Sequence, residues 1–118
     1  PGLVVVVVDD SQVNRRCVVR SLAKVLGPSA TFDQFETCEQ AKHALRAKAH
    51  DARVVVSLDN DLSSRGGVLT GSDCIAWLKS IDFKGIIISA SGDNDIKDAH
   101  LRLGAHVALG KPLPPYRV

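Results

Sequence analysis

Six consecutive apolar residues, Leu3 to Val8, run straight into Asp9 and Asp10, and two shorter runs, Val54-Val55-Val56 and Ile86-Ile87-Ile88, repeat the pattern further along. A strand with one wet face alternates apolar and polar residues. A continuous β-branched run has no polar face, so each of these runs is predicted as a central strand buried on both sides. Between them the spacing becomes helical. Ser11 caps a helix through about Leu26, with Val18, Leu22, Val25 and Leu26 on its apolar stripe, and Gly27-Pro28 stops it. Thr31 to Phe35 reads as a short edge strand. Thr37 caps a second helix from Cys38 to about Ala49 with a thin stripe of Ala41, Ala44 and Leu45. Arg53 to Leu58 is the third strand. Gly71-Ser72-Asp73 starts a third helix that runs to about Ile81, with Ile75, Leu78 and Trp77 inward. Gly85 to Ser89 is the fourth strand, Asp93 to about Leu103 a fourth helix with a weak apolar face, and Val107 to Leu109 the last strand.

Strands alternating with helices favour an α/β fold, a doubly wound, flavodoxin-like sheet of five parallel strands in the order 2-1-3-4-5. Ligands of such sheets bind beyond the carboxyl ends of the strands. Asp9 and Asp10 close the first strand and Asp59 closes the third, and these strands are neighbours in that order, which brings Asp10 and Asp59 within a few ångströms. Two carboxylates about 4 Å apart repel by roughly 4 kcal/mol at an effective dielectric near 20. A hard divalent cation, Mg²⁺ or Mn²⁺, relieves that repulsion through oxygen ligands and water. Ser89 ends the fourth strand and Lys111 follows the fifth, so a hydroxyl and a cation face the same crevice. Acids, hydroxyl and Lys together point to phosphoryl chemistry, in which a carboxylate attacks in line and positioning does most of the work. Asn60 to Thr70, with Gly66 and Gly67, reads as a long loop at this edge.

Composition narrows the partners. The 118 residues fit one domain, 1–118, large enough for a core without staples. With 15 Lys and Arg against 13 Asp and Glu, the charge is only +2, with no basic run, so binding of nucleic acid is not expected. Cys17, Cys38 and Cys74 have no C-x-x-C spacing and read as small helix hydrophobes in a reducing, cytoplasmic or nuclear compartment. His43, His50, His100 and His106 show no metal-ligand spacing, so each is expected at a surface or a helix end. No stretch approaches the roughly 20 apolar residues that cross a bilayer, so no membrane association is expected. The absence of Met and the opening on Pro1-Gly2 against a strand point to a fragment of a longer protein.

Four phrases carry a family resemblance. Val8-Asp9-Asp10-Ser11-Gln12-Val13-Asn14-Arg15, Ser57-Leu58-Asp59-Asn60-Asp61-Leu62, Ser89-Ala90 and Lys111-Pro112 together resemble the receiver domain of two-component response regulators. The first phrase is most similar to receivers attached to hybrid histidine kinases. The resemblance implies that Asp59 accepts a phosphoryl group from a phosphohistidine on a histidine kinase or histidine-phosphotransfer protein. It implies Asp9, Asp10, Asp59 and the backbone carbonyl of Asp61 as ligands of Mg²⁺. Ser89 and Lys111 would bind the phosphoryl oxygens, with Ala90 leaving room, and the added charge of about −1.5 to −2 would draw Ser89 inward as a switch.

Some positions depart from the pattern. Ala108 occupies the switch position where the family usually carries an aromatic residue. Ser63 stands where Pro is common, and the loop is longer than usual. Asp61 adds a carboxylate beside the acceptor, expected to alter the hydrolysis rate of a phosphoaspartate. Such folds usually end in a fifth helix, yet only six residues follow Pro112, two of them Pro. That helix is expected to be absent or truncated, leaving an apolar edge through which the last strand and fourth helix could form a homodimer. Two other readings compete: a receiver-like interaction scaffold that works without phosphorylation, and a phosphatase of the haloacid-dehalogenase type, for which Asp59-Asn60-Asp61 supplies a D-x-D.

Overall fold

The computed structural model describes residues 2–109, and the valine runs pair as parallel strands in the middle of one sheet. The elements are β1 (Val4–Val8), α1 (Gln12–Leu26), β2 (Thr31–Phe35), α2 (Cys38–Ala47), β3 (Val54–Leu58), α3 (Gly71–Ser80), β4 (Ile86–Ala90), α4 (Asn94–Leu103) and β5 (Val107–Leu109). The sheet order is β2-β1-β3-β4-β5, all neighbours parallel, as the alternating pattern predicts. Helix ends differ from expectation by a turn or less, α2 stopping at Ala47 and α3 at Ser80. The expected absence of a fifth helix concerns residues 110–118, outside the described residues.

Local chemistry sets the helix boundaries. The Ser11 hydroxyl accepts the Asn14 N–H at 3.3 Å, and Gly27, at φ 85°, ends α1 in a conformation that side chains with a Cβ disfavour. Thr37 accepts from the Gln40 N–H. At α3 the cap is reciprocal: the Thr70 hydroxyl accepts the Asp73 N–H and the Asp73 carboxylate accepts the Thr70 N–H.

Because the side chains of a strand alternate between faces, the runs feed two cores at once. On one face Val6, Val8, Val54, Val56, Leu58 and Ile87 meet Cys38, Ala41 and Leu45 of α2 and Cys74, Ile75 and Leu78 of α3. On the other, Val5, Val7, Val55, Ile88 and Ala90 meet Val18 and Leu22 of α1. Cys38 and Cys74 are thus buried hydrophobes, as expected from the sequence, whereas Cys17 is only half-buried, and all three are free thiols. Trp77 is partly buried between helices, with Lys42 Nζ at 5.2 Å and the Arg46 guanidinium at 5.5 Å from its ring centre. No helix of the described residues is long and apolar enough to cross a membrane.

Helix α4 departs from the sequence reading. Its one fully buried side chain is His100, at 0% exposure, where a surface or helix-end role was expected. Ile96, one turn before it, is half-buried, so His100 takes the central slot of the inward face of α4. Leu101, Leu103 and Val107 remain exposed.

Two consequences can be measured. Leu78→Ala should cost roughly 2–5 kcal/mol in urea unfolding, since a fully buried side chain is removed from a packed core. Burial holds the His100 imidazole below its ordinary value of about 6.5. The unfolded chain therefore binds a proton that the folded chain resists, so this contribution to stability is complete above that value and is lost as the pH falls below it. Urea midpoints should fall between about pH 7.5 and pH 5.5 more steeply in the wild type than in His100→Phe.

Candidate functional site

In-register pairing of β1 with β3, Val8 opposite Leu58, brings the acids at the ends of these strands to one edge. The Asp59 N–H donates to the Val8 carbonyl at 3.1 Å and the Asp9 N–H to the Phe35 carbonyl at 3.1 Å, which carries the sheet geometry one residue beyond the strands. Asp9, Asp10 and Asp59 each offer a carboxylate oxygen, all within 4.8 Å of one another. Asp9 is buried and the other two are half-buried. One oxygen of Asp9 accepts the Ser11 N–H at 3.0 Å, and the Arg15 guanidinium donates to the Asp9 backbone carbonyl at 2.6 Å. At that separation each pair of negative charges repels by about 3 kcal/mol at an effective dielectric near 20. Three hard oxygens converging at this spacing suit a small divalent cation that keeps several waters, so the donor set fits Mg²⁺.

The loop after β3 folds back over this cluster. The Ser64 N–H donates to Asp10 Oδ2 at 3.1 Å. Leu62 is buried in the α2–α3 core, and Glu39 of α2 accepts the Val68 and Leu69 N–H groups, which hold its carboxyl below the usual range. Arg65 pairs with Glu36 at 3.5 Å. The long loop is therefore tied both to the acid cluster and to the start of α2. Asp61 is exposed and its carboxylate accepts the Ser63 N–H at 3.2 Å and hydroxyl at 2.7 Å, an Asx turn that lowers its pKa.

Gly71 lets α3 begin directly against the end of β3. Its N–H donates to the Asn60 carbonyl at 2.8 Å, and a Cβ placed there would run into the backbone carbonyl of Asp59. Only glycine allows this approach. The sequence marks Gly71 as a helix start and gives no hint of this contact.

At the end of β4, Ser89 is opposite Leu58 on one side and Ala108 on the other, and both Ser89 and Ala90 are buried. Lys111, assigned to the same crevice by sequence, lies outside the described residues. Two residues that sequence reasoning missed join Ser89 to the end of β3. Ser89 Oγ is 2.6 Å from His100 Nδ1, and His100 Nε2 is 3.0 Å from Oδ1 of Asn60, the residue after Asp59. That same oxygen accepts the Ser72 N–H at 3.1 Å and hydroxyl at 3.0 Å. The signal available for His100 was its place on the α4 stripe. For the Asn60 side chain there was none.

No family model matches the sequence, and no curated protein does. Solved structures do match. The receiver domain of NtrX from Brucella abortus aligns with TM-score 0.75 and 23% identity, covering 92% of this chain and 86% of that one. The chemotaxis protein CheY4 of Vibrio cholerae aligns with TM-score 0.70 and 23% identity over 98% of this chain and 91% of its own. A putative response regulator from Chloroflexus aurantiacus aligns with TM-score 0.73 and 19% identity over 98% and 89%. Strand order, helix placement and these likenesses agree, and the chain has the receiver-domain fold of two-component response regulators.

Proposed function

We propose that this chain is a phosphoacceptor receiver that takes a phosphoryl group from a phosphohistidine onto Asp59 and acts as a signalling switch or relay. The convergence of Asp9, Asp10 and Asp59 at the carboxyl edge of β1 and β3 carries this reading. An oxygen of Asp59 attacks phosphorus, the P–N bond breaks with its electron pair returning to the donor imidazole, and an acyl phosphate forms on Asp59. Asp9 and Asp10, with Asp59 and the Asp61 carbonyl, would hold Mg²⁺, which supplies charge neutralisation at the transferring oxygens. Ser89 would donate to a phosphoryl oxygen, Ala90 leaves space beside it, and Lys111 would add a counter-charge.

The donor in this reading is a histidine kinase or histidine-phosphotransfer protein, in the cytoplasm and within a hybrid kinase or its relay. The phosphatase alternative needs Asp61 as a proton donor. Its carboxylate already accepts two bonds from Ser63 and its pKa is lowered, both of which weigh against that role. The exposed Leu101, Leu103 and Val107 support self-association through α4 and β5.

Acetyl phosphate with Mg²⁺ should add a single phosphoryl group, seen by intact mass, and chelation should prevent it. Asp59→Asn should abolish the labelling, and Asp10→Asn should leave the fold intact while weakening Mg²⁺ binding in calorimetric titration. Continued turnover of a generic phosphate ester, or labelling that survives Asp59→Asn, would overturn the assignment. Gly71→Ala should lower both stability and the labelling rate, because the displaced atom belongs to the acceptor residue. Light scattering that finds only monomer at high concentration would remove the self-association.

A further inference from the structure

The hydrogens of the Ser72–Asn60–His100–Ser89 chain can be assigned from the heavy atoms. A backbone N–H only donates, so the bond from Ser72 N at 3.1 Å makes the Asn60 atom it meets the amide oxygen. An amide oxygen only accepts, so His100 Nε2, at 3.0 Å from it, carries a hydrogen. A neutral imidazole then has a bare lone pair on Nδ1. Ser89, at 2.6 Å, donates its single hydroxyl hydrogen to that lone pair. Burial favours the neutral ring, in agreement with this assignment.

We infer that His100 is a positioning residue that holds the Ser89 hydroxyl hydrogen in the unmodified protein, so that Ser89 can engage a phosphoryl group only by changing its bond to helix α4. This rests on the reading of Asp59 as the phosphoacceptor. A phosphoryl oxygen is an acceptor, and Ser89 has one hydrogen to give. When that hydrogen turns to the phosphoryl group, His100 Nδ1 loses its donor inside a site with no exposure to water. A buried nitrogen left without a partner is unfavourable, so the ring must find a new arrangement and α4 must move with it. Ala108, beside Ser89 across β4 and β5, offers only a methyl group, so α4 supplies the polar partner. Asn60 anchors the opposite side of the ring to the acceptor strand and to the first turn of α3.

The test combines nitrogen NMR of the His100 ring with variants that keep one bond each. In the wild type, beryllofluoride and Mg²⁺ should shift the Nδ1 resonance away from a hydrogen-bonded acceptor, with Nε2 still protonated and Nδ1 unprotonated. His100→Phe keeps an aromatic ring and removes both bonds, so beryllofluoride should bind roughly three- to tenfold more tightly, the hydroxyl no longer being held elsewhere. His100→Asn can place an amide oxygen near the Nδ1 position and should restore much of the wild-type affinity. Asp59 labelling by acetyl phosphate is scored in parallel. If Asp59 is labelled and the His100 ring resonances do not respond to beryllofluoride, the inference is wrong and the phosphoacceptor reading stands. If the wild type is not labelled at all, that reading fails and takes this one with it.

Discussion

Everything at the candidate site depends on the parallel pairing of β1 with β3. Parallel strands side by side end at the same edge, and Val8 opposite Leu58 means that the residues just past each strand are forced together. In this chain those residues are acidic. Asp9, Asp10 and Asp59 could not be held within 4.8 Å by local structure alone, because the two segments are separated by α1, β2 and α2. The pairing in turn is held by apolar burial on both faces of the strands. Hydrophobic packing thus maintains a concentration of negative charge that would otherwise disperse.

Around that cluster the polar contacts form a connected set. The Ser64 N–H reaches Asp10 from the loop, and Glu39 holds the far side of the same loop against α2. Asn60 links the end of β3 to α3 through Ser72 and to α4 through His100, which in turn holds Ser89. Each element bordering the acids is therefore tied to another by a directional bond. In such networks a change at one member is felt at the others.

The fold was legible from the chain because its strands are extreme cases. Five valines in a row leave little alternative to a two-sided buried strand, and the caps at Ser11 and Thr37 and the helix start at Gly71 are reproduced by the structure. The acids were legible because they stand immediately after such strands. His100 was not, since a histidine in a short helix with a weak apolar face is usually at the surface, and only the packing of α4 over the end of β4 shows that its ring is enclosed. The Asn60 side chain and the close approach of Gly71 escaped for a related reason: both depend on where α3 begins in space.

The sequence by itself determined which segments become strands, their burial on both faces and the identity of the acids at their ends, because periodicity and strand-end position are properties of contiguous residues. Tertiary structure alone decided that the long loop folds onto Asp10 and that Ser89 is bonded to His100 instead of standing free. Those contacts join residues 54 and 11 positions apart, respectively, and depend on the geometry of packed elements, which no local pattern encodes.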